Sequence, residues 1–184
     1  REVEVVVSAA SFEDDGEIAI QVVIREATEL RVAREAEARV AALSRTDATT
    51  GLVNRAGFRE TLSTAIAEAA AAGEQLAVLH VGLDRFQLVN DTLGHDVGDE
   101  VLRQAAHRIR RAMRDGHGLA RAGGDEFLLL SRAADAEREG RRIAAALVAA
   151  FHEPFEAGAR PVFSTPSIGV AVLPRDGADA AALL

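Results

Sequence analysis

Two glycines, two acids and an apolar run follow one another in Arg121-Ala122-Gly123-Gly124-Asp125-Glu126-Phe127-Leu128-Leu129-Leu130, and no other stretch constrains this chain as much. A Gly-Gly pair between apolar segments predicts a tight hairpin, because both residues adopt positive φ without steric cost. Phe127 to Leu130 is then a strand running back into a core. Glycine, having no Cβ, also lets a backbone approach a phosphate closely. Carboxylates beside it suit a hard cation such as Mg²⁺, which is held by one or two carboxylates plus substrate phosphates. Taken alone, the decapeptide reads equally well as an ordinary acidic hairpin tip.

The 184 residues suffice for one domain, or one domain with a fragment of another, and 48% apolar with 27% charged residues is a globular balance. No cysteine is present, which excludes disulfides and thiolate metal sites and fits a reducing, cytoplasmic setting. No stretch approaches the roughly 18 apolar residues of a membrane span. A formal net charge of −8 argues against nucleic acid or an anionic membrane as partner, so an anionic substrate would need a local cation. Every basic side chain other than histidine is arginine, which together with abundant alanine reads as a compositional bias.

Residues 1–26 predict two strands. Val3, Val5 and Val7 alternate with polar neighbours, Glu13-Asp14-Asp15-Gly16 turns the chain, and Ile18 to Ile24 returns. Two strands do not make an independent domain. From Thr28 the spacing of Leu30, Ala33, Val40 and Leu43 predicts a helix with a narrow apolar stripe, either packed on its own domain or paired with a second copy. A second unit begins near Asp47. It contains a helix from Phe58 to Ala72 ended by Gly73, an apolar strand Leu76–Leu83 and a short helix bearing Phe86 and Val89. A Gly94/Gly98 break, a long helix from about Gly98 to Met113, the hairpin, a helix from about Ala134 to Phe151 and a strand near Ser167–Leu173 follow. Helices interleaved with strands around one hairpin predict an α+β sheet covered by helices.

Asp47-Ala48-Thr49-Thr50-Gly51-Leu52-Val53-Asn54-Arg55 resembles the D-x-L-T-G-L-x-N-R opening of GGDEF domains, the diguanylate cyclase family. Asp84-Arg85-Phe86 with Asn90-Asp91-Thr92-Leu93-Gly94-His95 and Gly98-Asp99 resembles its D-x-F-K-x-x-N-D-x-x-G-H-x-x-G-D segment, and Gly123 to Phe127 is its signature. Ser167-Ile168-Gly169-Val170 resembles the strand after it. The upstream strands with Arg25-Glu26-Ala27-Thr28-Glu29 resemble the end of a PAS sensor domain. The resemblance divides the chain into PAS-like strands at 1–27, a linker helix at 28–46 and a GGDEF domain at 47–184 that lacks the family's last helix.

The resemblance implies a palm-like fold of the nucleotide-cyclase and polymerase type. It also implies that two such domains face each other, each holding GTP, and join them into cyclic di-GMP with loss of pyrophosphate. Asn90 and Asp99 would then read the guanine edge. Gly123 and Gly124 would lie under the phosphates, and Phe86 falls within the substrate-binding segment. Asp125 would ligate Mg²⁺ or Mn²⁺, with Glu126 as the neighbouring acid and Leu83 offering a backbone carbonyl. The linker helix would make a homodimer.

This chain departs from the pattern at the strand end Val81-Gly82-Leu83-Asp84. The family's first metal-binding aspartate of D-x-D falls on Gly82, which has no side-chain oxygen. Asp84, the second aspartate, lies two residues on, roughly 6.6 Å away, and substitutes only with a backbone shift. Gln87 stands where the family has lysine. Three readings follow: a degenerate domain that binds GTP and regulates a neighbour, such as a downstream EAL-type phosphodiesterase; an active diguanylate cyclase; or a structural dimerisation and relay module.

Overall fold

The computed structural model describes residues 5–14, 17–26, 45–113, 117–158 and 160–183. They fall into two units, Arg1–Ser44 and Arg45–Leu184. The first contains strands β1 (Val5–Asp14) and β2 (Glu17–Glu26), which pair antiparallel with Val5 opposite Glu26 and Asp14 opposite Glu17. The linker helix expected over 28–46 lies outside the described residues but for Arg45 and Thr46.

The second unit is built on a five-stranded mixed sheet in the order β3-β5-β6-β4-β7. Its chain order is β3 (Val53–Asn54), α1 (Arg55–Ala72), β4 (Gln75–Leu83), α2 (Phe86–Leu93), α3 (His95–Ala112), β5 (Gly118–Gly123), β6 (Glu126–Ala133), α4 (Ala136–Ala150), β7 (Pro166–Leu173) and α5 (Ala180–Leu183). The fold is α+β, as the pattern of elements predicts. Helix α1 starts three residues earlier than its apolar stripe suggests, because the Asn54 side chain accepts from the Gly57 N–H at 3.0 Å and caps it. Gly73, at φ 67°, ends it in the left-handed conformation.

Interior strand β4, between β6 and β7, is hydrophobic on both faces because helices cover both. Ala77, Leu79, Val81 and Leu83 belong to the larger core with α2, α3 and α4, whereas Leu76 and Val78 pack with Phe58, Leu62, Ala65 and Ala69 of α1. Cover on the α1 side stops there. His80, next on that face, is exposed and Gly82 is half-buried. The open end of this face, at the C-terminal end of β4, is the floor of the candidate site.

Phe127, wholly buried on β6 directly opposite Val81, anchors the hairpin to the larger core. Phe127→Ala is expected to destabilise the domain by about 3–5 kcal/mol through lost contacts and the cavity left behind. Urea denaturation followed by circular dichroism measures this.

One expectation needs correction. Gly98 does not break the helices; it lies inside α3, which begins at His95 directly after Gly94 at φ 89°. The reason for a glycine at 98 is the side chain packed on it.

Candidate functional site

Strands β5 and β6 form the expected hairpin, closed by the two-residue loop Gly124-Asp125, with Gly123 paired to Glu126 and a register shift between Arg121 and Gly123. Gly123 at φ 131° and Gly124 at φ 54° occupy conformations that a side chain strains. The loop is tied to β4 where the Leu83 N–H donates to the Asp125 carbonyl at 3.3 Å. Both glycines are exposed, while Asp125 and Glu126 are half-buried.

Register across the sheet sets Glu126, Gly82 and Ser167 in one row on β6, β4 and β7. A Cβ built on Gly82 meets no atom within 4 Å. The position thus has open space for a side chain that the sequence does not supply. His80 stands two residues back on the same face, with Nε2 3.6 Å from the Glu126 carboxylate. Sequence reasoning passed over His80, since only strand pairing brings it to the signature acid.

The carboxylate of Asp84 is turned to β7. Its two oxygens accept from Ser167 Oγ at 2.6 Å and Thr165 Oγ1 at 2.5 Å, and its backbone carbonyl accepts from Ser164 Oγ at 3.0 Å. The hydrogen bonds from Ser167 and Thr165 hold its pKa below the ordinary aspartate value. Ligation by Asp84 in place of an aspartate at position 82 would release both hydroxyls and draw the carboxylate back over β4, away from its partners on the opposite side from the hairpin. Next to it Arg85, at φ 60°, makes the left-handed reversal into α2.

Asn90 is placed by glycine. A Cβ on Gly98 would lie 1.9 Å from Asn90 Oδ1 and 3.3 Å from Phe86 Cζ, so the amide of α2 rests on the bare backbone of α3. Asp99, one residue on, is half-buried in the first turns of α3. Phe86, expected among the substrate-binding residues, is only 6% exposed and belongs to the larger core. Its burial makes it a support for α2. Gln87 donates to Asp91 at 2.8 Å on the outer surface of the same helix.

The opening turn is closed by Asp47, whose Oδ1 accepts from the Thr50 N–H at 2.8 Å and Thr50 Oγ1 at 2.6 Å. Burial of this carboxyl works to raise its pKa, but hydrogen bonds from Thr50 and Arg121 outweigh it and hold the value below ordinary. Arg121 Nη1 reaches both Asp47 oxygens, at 3.1 and 3.0 Å.

The donor set falls short of a protein-built cation site. Asp125 and the Leu83 carbonyl are what the family pattern leaves once Gly82 is present, and no group of three or more His, Cys, Asp or Glu suited to a metal occurs among the described residues. Mg²⁺ here would depend mainly on oxygens brought by a nucleotide. Among the described residues no helix is long and apolar enough to cross a membrane.

Residues 44–184 match the family model described as "Diguanylate cyclase, GGDEF domain". The chain is 36% identical over 149 residues to the cyclic di-GMP phosphodiesterase NbdA of Pseudomonas aeruginosa, covering 81% of this chain and 19% of that protein. It is 41% identical over 139 residues to the diguanylate cyclase TpbB of the same species, covering 75% of this chain and 32% of TpbB. A solved sensory box/GGDEF family protein from Caulobacter crescentus superposes with a TM-score of 0.72 at 35% identity, covering 76% of this chain and 90% of that one. The chain therefore spans a third or less of the two curated relatives.

Proposed function

The chain belongs to the GGDEF family of diguanylate cyclase domains, and on that premise we propose that it binds GTP, has weak or no cyclase activity of its own, and regulates a neighbouring domain in cyclic di-GMP signalling. One observation supports this reading: the amide that the family pattern assigns to guanine is held in place, while position 82 lacks the carboxylate that the pattern assigns to the cation. Asn90 rests on Gly98, the residue before Asp99 on α3, but position 82 offers an open gap between Glu126 and Ser167.

Phosphoryl transfer is mostly charge neutralisation and positioning, and a bound divalent cation supplies the former. In this chain Asp125 and the Leu83 carbonyl would hold it. Asn90 and Asp99 would orient the base, and the two exposed glycines would let phosphates approach the hairpin backbone. Asp84 would replace the missing carboxylate only by giving up its hydrogen bonds to Ser167 and Thr165, so substrate binding outlasts turnover.

The likeness to NbdA, a phosphodiesterase by name, supports a neighbouring phosphodiesterase domain, which the proposal takes to be of the EAL type, and the sensory box relative supports a sensor segment before residue 28, which it takes to be PAS-like. A cytoplasmic homodimer joined by the linker helix completes the proposal. Titration of the full-length protein with GTP and Mg²⁺ in a calorimeter is the test. Saturable binding without cyclic di-GMP formation is expected. Cyclic di-GMP formed at rates of about 1 s⁻¹ would make it a working cyclase, and absence of binding would leave a structural relay.

A further inference from the structure

We propose that Arg121 is the positioning residue for Asp125, and that Asp47 holds Arg121 to that task; this rests on the reading of Asp125 as the cation-side carboxylate. The guanidinium spans two elements. Its Nε and Nη2 donate to the Gly124 carbonyl at 3.1 and 2.6 Å, while Nη1 bridges both oxygens of Asp47 at 3.1 and 3.0 Å. The Gly124 carbonyl belongs to the peptide group entering Asp125, and the carbonyl leaving it accepts from the Leu83 N–H at 3.3 Å. Both peptide groups flanking Asp125 are thereby pinned, one by Arg121 and one by β4. Pinning them sets the direction in which the Asp125 side chain leaves a loop that glycine would otherwise leave pliable.

The arrangement is built into the domain. Arg121 and Asp47 side chains are 11% and 19% exposed, whereas the arginines paired with Glu60, Glu100 and Glu68 are 41–72% exposed. Asp47 cannot swing freely, because Thr50 holds it through two hydrogen bonds and the turn is closed by Asp47 N–H to Leu52 O and Gly51 N–H to Asp47 O at 2.7 and 2.8 Å. The same turn leads into β3, which pairs in parallel with β5 at Asn54 and Arg121. A planar fork is needed to reach a carbonyl and a carboxylate at once; an ammonium is a single point.

Arg121→Lys and Asp47→Asn in the full-length protein test this. Amide order parameters at Gly124 and Asp125 are expected to fall from the rigid range near 0.85 to below about 0.6. The Leu83 amide should exchange about tenfold faster, the scale of one lost charge-assisted hydrogen bond. Amides of α3 between Val101 and Ile109 should be unchanged, and the double variant no worse than the more damaging single one. Affinity for GTP with Mg²⁺ should drop about tenfold while affinity for GTP in excess chelator stays level. Unchanged hairpin amides, or equal loosening of α3, would overturn the proposal by reducing the pair to a general support of the fold. Failure of the unmodified protein to bind GTP would sink the nucleotide reading instead, and the order parameters would still decide whether Arg121 pins the loop.

Discussion

Gly82→Asp is expected to raise conversion of GTP to cyclic di-GMP by about a hundredfold or more in the full-length protein, from a baseline near zero. The reasoning is electrostatic. A ligated divalent cation offsets several kcal/mol of developing negative charge, and each 1.36 kcal/mol is about tenfold in rate. The substitution fits sterically, because a Cβ at Gly82 has nothing within 4 Å and the new carboxylate would stand in the row with Glu126 and Ser167. Asp84 need not move, since Ser167 and Thr165 keep its carboxylate. The melting temperature should therefore change little, which separates a catalytic effect from a folding one. Chromatographic detection of cyclic di-GMP, run beside the unmodified protein, gives the answer. Were the variant as inactive as its parent, the missing carboxylate would not be what limits this domain.

Gly98→Ala should do the opposite, weakening GTP about tenfold or more while leaving the fold nearly as stable as before. Two terms compete in the stability. Alanine gains about 1 kcal/mol over glycine inside a helix, and overpacking costs typically 1–3 kcal/mol. The nearest atom in the way is Asn90 Oδ1, at 1.9 Å the far end of a flexible side chain that yields by rotation, and Phe86 Cζ at 3.3 Å need give only a few tenths of an ångström, so the cost falls at the low end. Rotation takes the amide out of position, and a guanine edge left without its partner accounts for the affinity lost. Discrimination between GTP and ATP should shrink together with affinity. Isothermal titration with each nucleotide, beside urea denaturation, reads both effects. Retained guanine selectivity would mean that Asn90 does not read the base.

Much of this was legible in the residues. Order of elements, the hairpin and the strand ends at Leu83 and Leu173 follow from apolar runs and from glycines, which are local signals. The two-residue strand β3 was not legible, since Val53 and Asn54 carry no periodicity and are strand only by pairing with Ala120 and Arg121. Gly98 looked like a break because glycine is a poor helix former, and tertiary contact with Asn90 overrides that preference. Arg108 donates to the backbone carbonyls of Ala150, Glu153 and Pro154, more than forty positions on, and lies over the Phe155 ring, contacts that no local pattern shows. His117 meets Ser131 Oγ at 3.2 Å, a contact set by the pairing of β5 with β6.

The sequence by itself determined the chemistry available at each position: a glycine pair that lets a backbone approach a phosphate, acids beside it, an amide and an acid where the family resemblance implies guanine, and no carboxylate at position 82. Those are properties of residue types and their spacing along one chain. What only the tertiary structure decided is which of them act together. Whether Asp84 could serve for Gly82 depended on which neighbour its carboxylate faced, and Ser167 of β7 with Thr165 just before it supplied two hydroxyls that hold it. Whether Asp125 has a fixed direction depended on Arg121 and Asp47, 74 positions apart, meeting behind the loop. Side-chain direction and long-range pairing come from strand register and packing of helices on both faces of the sheet, and no local pattern encodes either.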